Sequence, residues 1–138
     1  MNPDDLPENV RLLLSSQVES YEVLAILMFL WRERARGASE AQLSAALKIP
    51  TALVVPAIES LLLERLIGVD PAASDRSYIY LPATPEIDAA VAQLVLEYET
   101  NPVRIINFMT ASAIDRVRRR ALHAFADVFV SKNDIDTG

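Results

Sequence analysis

The sequence predicts a mainly α-helical domain that carries one short β-ribbon. Its 138 residues are enough for one compact core and too few for two domains of ordinary size. Apolar residues make up 51% of the chain, and over most of its length they recur at intervals of three or four, the spacing of amphipathic helices. One stretch, residues 77–81, alternates in the manner of a strand and predicts the ribbon.

The composition excludes several classes of protein. The chain has no Cys and a single His, which argues against a disulfide scaffold, a zinc finger or an iron–sulfur site, so we expect no metal and no cofactor. The longest apolar run, residues 23–31, is about half of the roughly 20 residues that cross a bilayer, so it predicts a buried helix and no membrane partner. The acidic start of the sequence lacks the basic region of a signal peptide, and we expect a cytoplasmic protein.

An arm and a first helix open the chain. Residues 1–16 are polar and contain prolines, which predicts an N-terminal arm with one short helical turn docked on the body. Residues 16–36 carry apolar side chains three or four positions apart, which predicts the first helix. Gly37 follows where such a helix would end.

A tight turn joins the next two predicted helices. Ser39 and, three residues later, Gln42 form the pattern of a capping box, which starts a second helix ending near Pro50. The apolar stripe over residues 51–68 predicts the third helix, closing at the end of that range. Pro56 either kinks this helix or starts it, and the second option would lengthen the turn.

A ribbon and two further helices complete the chain. Turn-forming residues followed by the alternating residues 77–81 predict a strand, a turn and a returning strand. Thr84 followed by Pro85 starts a helix that reaches Glu99, and an Asn-Pro pair starts the last helix, which ends near Val130. At about 1.5 Å per residue the last helix would be about 40 Å long, which is more than the core of a small domain needs.

The order of these elements is that of a winged helix-turn-helix, because a tight turn separates the second and third of three helices and a ribbon follows them. Residues 39–84 resemble the winged-helix core of MarR-like and related bacterial transcriptional regulators. The matching positions are Leu43 and Leu47, then Val54, Ile58 and Leu61, then Leu66 and Ile67, and finally the wing residues Asp75 and Arg76. The resemblance covers about residues 20–85 and implies a DNA-binding regulator that dimerises through the helices after the wing.

This resemblance divides the chain into four parts. They are an N-terminal arm over residues 1–16, a winged helix-turn-helix domain over residues 17–84, C-terminal dimerisation helices over residues 85–131, and a tail over residues 132–138.

The resemblance also implies which side chains meet DNA. The candidate contacts are Lys48, Thr51, Ala52, Val55, Arg76 and Ser77. A hydroxyl at Thr51 suits a phosphate or a base edge, the methyl groups of Ala52 and Val55 suit a thymine methyl, and Arg76 suits a minor groove beside the wing. The third helix departs from the usual pattern, because it offers no Arg, Lys, Asn or Gln to a base edge and because Glu59 repels phosphate.

The charge balance leaves a second function open. With 13 basic and 19 acidic residues the net charge is −6, whereas nucleic-acid binders usually carry a basic face. Arg32, Arg34 and Arg36 either add to a positive face or sit favourably at a helix C-terminus. The arginines within residues 116–120 project in several directions, which favours a solvated, ion-paired rim. The alternative to a regulator is therefore a winged-helix adaptor that binds another protein and does not read DNA.

The last helix predicts an interface with a second copy. Its apolar positions step by three or four, close to a heptad seam, and they are Ile106, Met109, Ala113, Val117, Ala121, Phe125 and Val128. Such a face needs more covering surface than one small domain offers, so we expect a two-fold symmetric homodimer. The alternative is an intramolecular bundle in which the C-terminal helices fold back on the first helix.

Catalysis finds little support in the sequence. His123 and Asp127 are spaced to meet on one helix, but no nucleophile is placed to use them. The chain has no Gly-rich phosphate loop and no metal-ligand pair of histidines. We therefore do not expect an enzyme. The junction between the winged domain and the C-terminal helices, near Met28 and Trp31, is either core or a site for a small ligand.

Overall fold

The computed structural model describes residues 6–136 of the chain, with side chains described as far as Val128. This part forms six helices and a three-stranded sheet. In chain order the elements are α1 (Glu8–Ser16), α2 (Tyr21–Arg32), β1 (Ala38–Ser39), α3 (Glu40–Leu47), α4 (Thr51–Leu63), β2 (Ile67–Val69), β3 (Ser77–Tyr80), α5 (Pro85–Thr100) and α6 (Pro102–Asp136). The run from α2 to β3 is a winged helix-turn-helix, so the predicted mainly helical winged fold is confirmed.

The sheet contains one strand more than the predicted ribbon. β2 and β3 pair antiparallel, with Ile67 opposite Tyr80 and Val69 opposite Tyr78. The two-residue strand β1 pairs with the other edge of β3, with Ala38 opposite Tyr78. The ladder places β3 in the centre and leaves β1 and β2 as the edges.

The N-terminal segment is an integral helix, so the expectation of an arm with one short helical turn is wrong. α1 has nine residues, and its buried residues Val10, Leu13 and Leu14 follow the i, i+3, i+4 spacing of a single helical stripe. This stripe packs against α5 and α6. Most of the other residues in this segment are polar, so its overall composition did not indicate the apolar stripe. Residues 1–5 of the expected arm lie outside the described residues.

The first predicted helix is shorter than expected at both ends. α2 begins after Ser20, whose hydroxyl oxygen accepts a hydrogen bond from the Val23 N–H across 3.2 Å. It ends at Arg32, and Gly37 then adopts a φ of +73° in the connection to β1. The helix therefore lacks the first and last turns of the predicted range.

The helix-turn-helix begins where the sequence predicted and ends earlier than predicted. Ser39 and Gln42 form the reciprocal capping box that starts α3. α4 contains Pro56 in its interior, so the proline does not start the helix. The helix α4 ends at Leu63, because Arg65 takes a left-handed φ of 59° and the chain then extends into β2. The predicted end of this helix at Gly68 is wrong.

Two packed layers share one hydrophobic core. In one layer α2 contacts α3, α4 and β3, and in the other α1, α5 and α6 pack on one another. Fully buried side chains in the first layer include Ile26, Leu27, Leu30, Leu43, Ile58 and Leu61, and those in the second include Leu14, Leu94 and Ile105. An ion pair between Arg104 and Glu97 joins α6 to α5.

The last helix continues past its predicted end. α6 has 35 residues and reaches Asp136, beyond the expected end near Val130 and into the expected tail. At about 1.5 Å per residue it is about 52 Å long. Residues 137 and 138 of that tail lie outside the described residues.

Candidate nucleic-acid interface

The outward face of α4 is exposed and mostly apolar. One side of the helix packs into the core through Val54, Ala57, Ile58 and Leu61. The opposite side carries Ala52, Pro56, Glu59 and Leu63, which follow one another at helical spacing and are all exposed. Leu63 is 81% exposed. We call these four residues, with their neighbours Thr51, Leu53 and Val55, the α4 front.

The start of α4 is braced by the turn that precedes it. The Ser44 hydroxyl donates to the Ile49 carbonyl across 2.6 Å, and the Thr51 hydroxyl oxygen lies 3.5 Å from the Ser44 hydroxyl oxygen. Lys48 ends α3 in a left-handed conformation with a φ of 56°, and its side chain is exposed. The turn therefore leaves both Lys48 and Thr51 exposed to solvent.

Pro56 modifies the α4 front without breaking the helix. A proline has no N–H, so it cannot donate to the carbonyl oxygen of Ala52 as an ordinary residue would. The Ala52 carbonyl is thus an acceptor without its usual helical donor. Both residues are exposed on the α4 front.

The wing presents one exposed arginine. The loop between β2 and β3 closes where the Asp70 N–H donates to the Ser77 carbonyl across 2.8 Å, and the Asp70 carboxylate accepts from the Ala72 N–H. The Arg76 guanidinium lies 5.7 Å from the centre of the Tyr78 ring. Within residues 6–128 the ion pairs join other residues, so Arg76 keeps its charge unpaired by a carboxylate. Ser77, also predicted to meet DNA, is half-buried in β3.

The arginines that end α2 interact with their own surroundings. Arg32 lies 3.8 Å from the Glu99 carboxylate. The Arg34 side chain stacks 4.3 Å from the centre of the Trp31 ring and donates to the Trp31 carbonyl across 2.7 Å. These contacts support the interpretation of Arg32 and Arg34 as residues that stabilise a helix C-terminus. Arg36 is exposed.

Two glutamates lie close to the α4 front, a feature that the sequence pattern did not indicate. Glu19 and Glu22, at the start of α2, line a cleft of about 290 Å³ together with Leu53 and Pro56. The exposure of Leu53 and Leu63 was also not predicted, because apolar helix residues are usually assigned to the core. The exposed apolar residues Leu53 and Pro56 therefore share a cleft with two carboxylates.

The predicted dimer seam divides into a buried and an exposed part. Met109 is only 4% exposed and belongs to the core of its own chain, so it is not available to a partner, and Ile106 and Ala113 are half-buried. The remaining positions are exposed: Val117 (64%), Ala121, Phe125 (71%) and Val128 (69%).

The apolar face of α6 changes sides along the helix. In the first half the core-facing side chains are Ile105 and Met109. At helical spacing that face continues through the half-buried Arg116 to Arg120 and His123, which are polar and exposed. The exposed apolar stripe of the second half therefore points away from the body of its own chain. His123 and Asp127 are both exposed on this segment.

A second cleft lies between the start of α2 and α6. It has a volume of about 360 Å³ and is lined by Tyr21, Met109 and Ile114 among others, with Glu19 and Glu22 at its edge. The Tyr21 hydroxyl is hydrogen-bonded to the Thr110 hydroxyl at 2.9 Å. Of the residues named for the junction, Met28 is buried and Trp31 half-buried.

Neither a metal cluster nor a membrane span is found in the described part of the chain. No three His, Asp or Glu side chains there are grouped so that they could hold a metal ion. No single helix among those residues has the length and apolarity to cross a bilayer; α3 and α4 reach that threshold only jointly, across a bend of 117°.

The fold and the α4 front define a winged helix-turn-helix protein in which the second helix of the helix-turn-helix is exposed. No protein-family model matches the chain, and no curated protein matches it either. Among solved structures, S. aureus MepR bound to ethidium bromide is similar, with a TM-score of 0.45 and 15% identity, covering 89% of this chain and 87% of that one. At these values the likeness assigns no function.

Proposed function

We propose that the protein is a DNA-binding transcriptional regulator that acts as a homodimer in the bacterial cytoplasm. The observation that carries this proposal is the exposed α4 front, together with two exposed cations, Lys48 in the turn before α4 and Arg76 in the wing. A helix-turn-helix inserts its second helix into the major groove and leaves the flanking elements to contact the backbone. This arrangement has the parts that such docking needs.

Each candidate contact has a role in this proposal. Thr51 and Lys48 bind phosphate at the entry of the groove, and Arg76 enters the neighbouring minor groove. Ala52 and Val55 touch base edges. Ser77 is half-buried in β3, as Val55 is in α4, and contacts DNA from the base of the wing.

The electrostatic contribution is small for a DNA-binding protein. Lys48 and Arg76 supply two cations per protomer, and Glu59 opposes them on the α4 front. If a dimer neutralises four phosphates, the logarithm of the affinity falls with the logarithm of the salt concentration with a slope of about −4. We therefore expect tight binding only where shape and base contacts add to the phosphate contacts.

An anisotropy titration tests the DNA contact. The probe is a fluorescent duplex of random sequence, titrated with the protein over a series of salt concentrations. Arg76→Ala weakens binding and reduces the salt slope by about one per wing that reaches the duplex. Arg11→Ala is the matched control, because Arg11 is exposed on α1, which packs on α5 and α6 and not on the wing. Equal effects of the two variants would contradict the proposed interface.

The exposed half of α6 supports the homodimer. Ile114, Val117, Ala121 and Val128 lie along one stripe, and Val117 and Val128 are more than half exposed. Two such stripes related by a two-fold axis cover each other, which is the isologous arrangement of most homodimers. It also sets two α4 helices in the symmetric relation that reading two half-sites requires.

Sedimentation equilibrium tests the homodimer. The native chain sediments as a dimer, and Val117→Glu sediments as a monomer, because it buries a carboxylate at the seam. Ala72→Glu adds the same charge in the exposed wing and leaves the dimer intact. A native chain that stays monomeric at high concentration would remove this part of the proposal.

The second candidate function is a protein-interaction adaptor that does not read DNA. It is favoured by the apolar α4 front, by the acidic cleft with Glu19 and Glu22 beside it, and by the net charge of −6. The titration separates the two candidates. An adaptor with a well-folded α4 would bind no duplex even at low salt.

A further inference from the structure

We infer that the α4 front recognises thymine methyl groups in the major groove, so that the preferred DNA carries A·T pairs where α4 enters. This inference rests on the proposed function, since it specifies how the same surface would read its DNA. It starts from an unusual property of that surface: the outward residues of the first two turns of α4 are nearly all apolar.

The chemistry of the α4 front matches one group of the major groove. Ala52, Leu53, Val55 and Pro56 offer only carbon atoms from their side chains, and Thr51 adds a single hydroxyl. Base edges in the major groove display hydrogen-bond donors and acceptors, and the one apolar group among them is the thymine C5-methyl. Burying polar base edges against carbon would leave them without partners, which is unfavourable. A thymine methyl has no such cost.

The rigidity of the surface strengthens this match. Val55 is half-buried, and a β-branched side chain in a helix has essentially one χ1 rotamer. The ring of Pro56 is fixed by its own covalent geometry. Ala52 has no side-chain rotamer to lose. Contact with a methyl group therefore costs these side chains little conformational entropy.

The test compares two duplexes that differ only in methyl groups. Each has roughly 20 base pairs, enough for two half-sites one helical turn apart. One duplex contains alternating adenine and thymine, and the other contains uracil in place of thymine. We expect about fourfold weaker binding for each contacted methyl that is removed, which is the ratio for burying one methyl-sized group.

A third duplex separates methyl recognition from DNA shape. A reference duplex carries C·G pairs in place of the contacted T·A pairs, and we expect the protein to bind it weakly. The third duplex has the same sequence with 5-methylcytosine in place of cytosine. Restoring the methyl group in a C·G pair recovers part of the lost affinity if the methyl itself is recognised. Equal affinity for the thymine and uracil duplexes would overturn the inference and leave DNA binding in place. Failure to bind any duplex at low salt would overturn the proposed function and this inference together.

Variants of α4 locate the contact on the protein. Val55→Ala removes two methyl groups from the α4 front. We expect it to weaken binding to the thymine duplex more than binding to the uracil duplex, and so to lower the preference for thymine over uracil. Val103→Ala is the matched control, because it makes the same substitution at a side chain that is 60% exposed at the start of α6, outside the α4 front. Melting curves followed by circular dichroism check that both variants are folded. A preference unchanged by Val55→Ala and also by Ala52→Gly would contradict the assignment.

Discussion

The guanidinium group of Arg116 in α6 donates a hydrogen bond to the carbonyl oxygen of Glu19, 3.2 Å away. It also donates to the carbonyl oxygen of Ser15, 3.3 Å away, in the last turn of α1. Carbonyls at the end of a helix have no intrahelical partner, so Arg116 supplies one. Since Ser20 caps α2 directly after Glu19, the contact holds α6 at the joint from which the winged domain begins.

Replacing Arg116 loosens that joint. We expect Arg116→Met to lower the free energy of unfolding by about 1 kcal/mol, because the methionine retains the apolar stem and loses the hydrogen bonds. Urea denaturation measures the change. Arg118→Met is the matched control, since Arg118 is exposed on the same helix and the substitution removes the same charge. An equal loss of unfolding free energy in both variants would show that the removed charge, and not the hydrogen bond to the Glu19 carbonyl, accounts for the effect.

Gly37 is required by the backbone where α2 connects to the sheet. Its φ is +73°, and a Cβ added there would lie 2.4 Å from the Tyr78 carbonyl oxygen. Gly37→Ala therefore costs about 1 to 2 kcal/mol for the left-handed backbone alone, and the clash with β3 adds to this. Thermal unfolding measures the loss.

Gly68 offers the matched comparison. A Cβ there would meet only the Leu81 side chain, at 2.7 Å, and that side chain is exposed and can rotate away. We expect Gly68→Ala to lower the melting temperature less than Gly37→Ala. The reverse order would contradict the assignment of strain to the α2–β1 connection.

Tyr80 couples the wing to the start of α5 and makes the stability of the fold depend on pH in the alkaline range. Burial, together with the hydrogen bond that the Tyr80 hydroxyl donates to Asp88 across 2.7 Å, raises the pKa of the Tyr80 phenol well above its usual value of about 10. A pKa that is higher in the folded state means that the full stability is present below about pH 10 and is lost as the pH rises above that value.

Tyr80→Phe removes this dependence. We expect the difference in unfolding free energy between the native chain and the variant to be constant below about pH 10 and to shrink above it. Urea denaturation at a series of pH values measures the difference, and the other tyrosines cancel in the comparison. A difference that grows with rising pH would contradict the account.

Glu59 is exposed and places a negative charge on the α4 front, which faces phosphate in the proposed DNA complex. Removing its charge by Glu59→Gln raises the affinity for a random-sequence duplex a few-fold at low salt, and the gain shrinks at higher salt because screening weakens the repulsion. Anisotropy titration measures both quantities. Glu86→Gln is the control, since it removes the same charge from the exposed start of α5. An equal gain from both would mean that only net charge matters.

Local signals in the sequence predicted where several elements begin. The capping box of Ser39 and Gln42 and the Thr84-Pro85 pair mark the observed starts of α3 and α5. These signals depend on hydrogen bonds between residues three apart, so a short window of sequence contains all the partners. The winged topology followed from the order of such elements.

Features that depend on distant partners were not predicted. β1 has only two residues, and its pairing with Tyr78 joins positions about 40 apart in the chain. The end of α4 depends on the left-handed Arg65, a conformation that residues other than Gly seldom adopt and that periodicity does not signal. The apolar stripe of α1 matters only because α5 and α6 cover it.

In the candidate site, too, features that depend on local spacing were predicted and features that depend on distant partners were not. The exposure of Thr51, Ala52 and Arg76 follows from the helical period and the position of the wing. Met109 has the spacing of the seam but lies in the core of its own chain, because the apolar face of α6 changes sides after the helix leaves the body. The heptad pattern records which positions are apolar and not which neighbour covers them.

Recovery of fragmented genomic DNA by the purified protein, at low and at near-physiological salt and followed by sequencing, tests the central claim most directly. The account predicts enrichment of a short, two-fold symmetric site that survives the higher salt concentration and carries A·T pairs in each half. A folded protein that recovers no DNA at either salt concentration would contradict it.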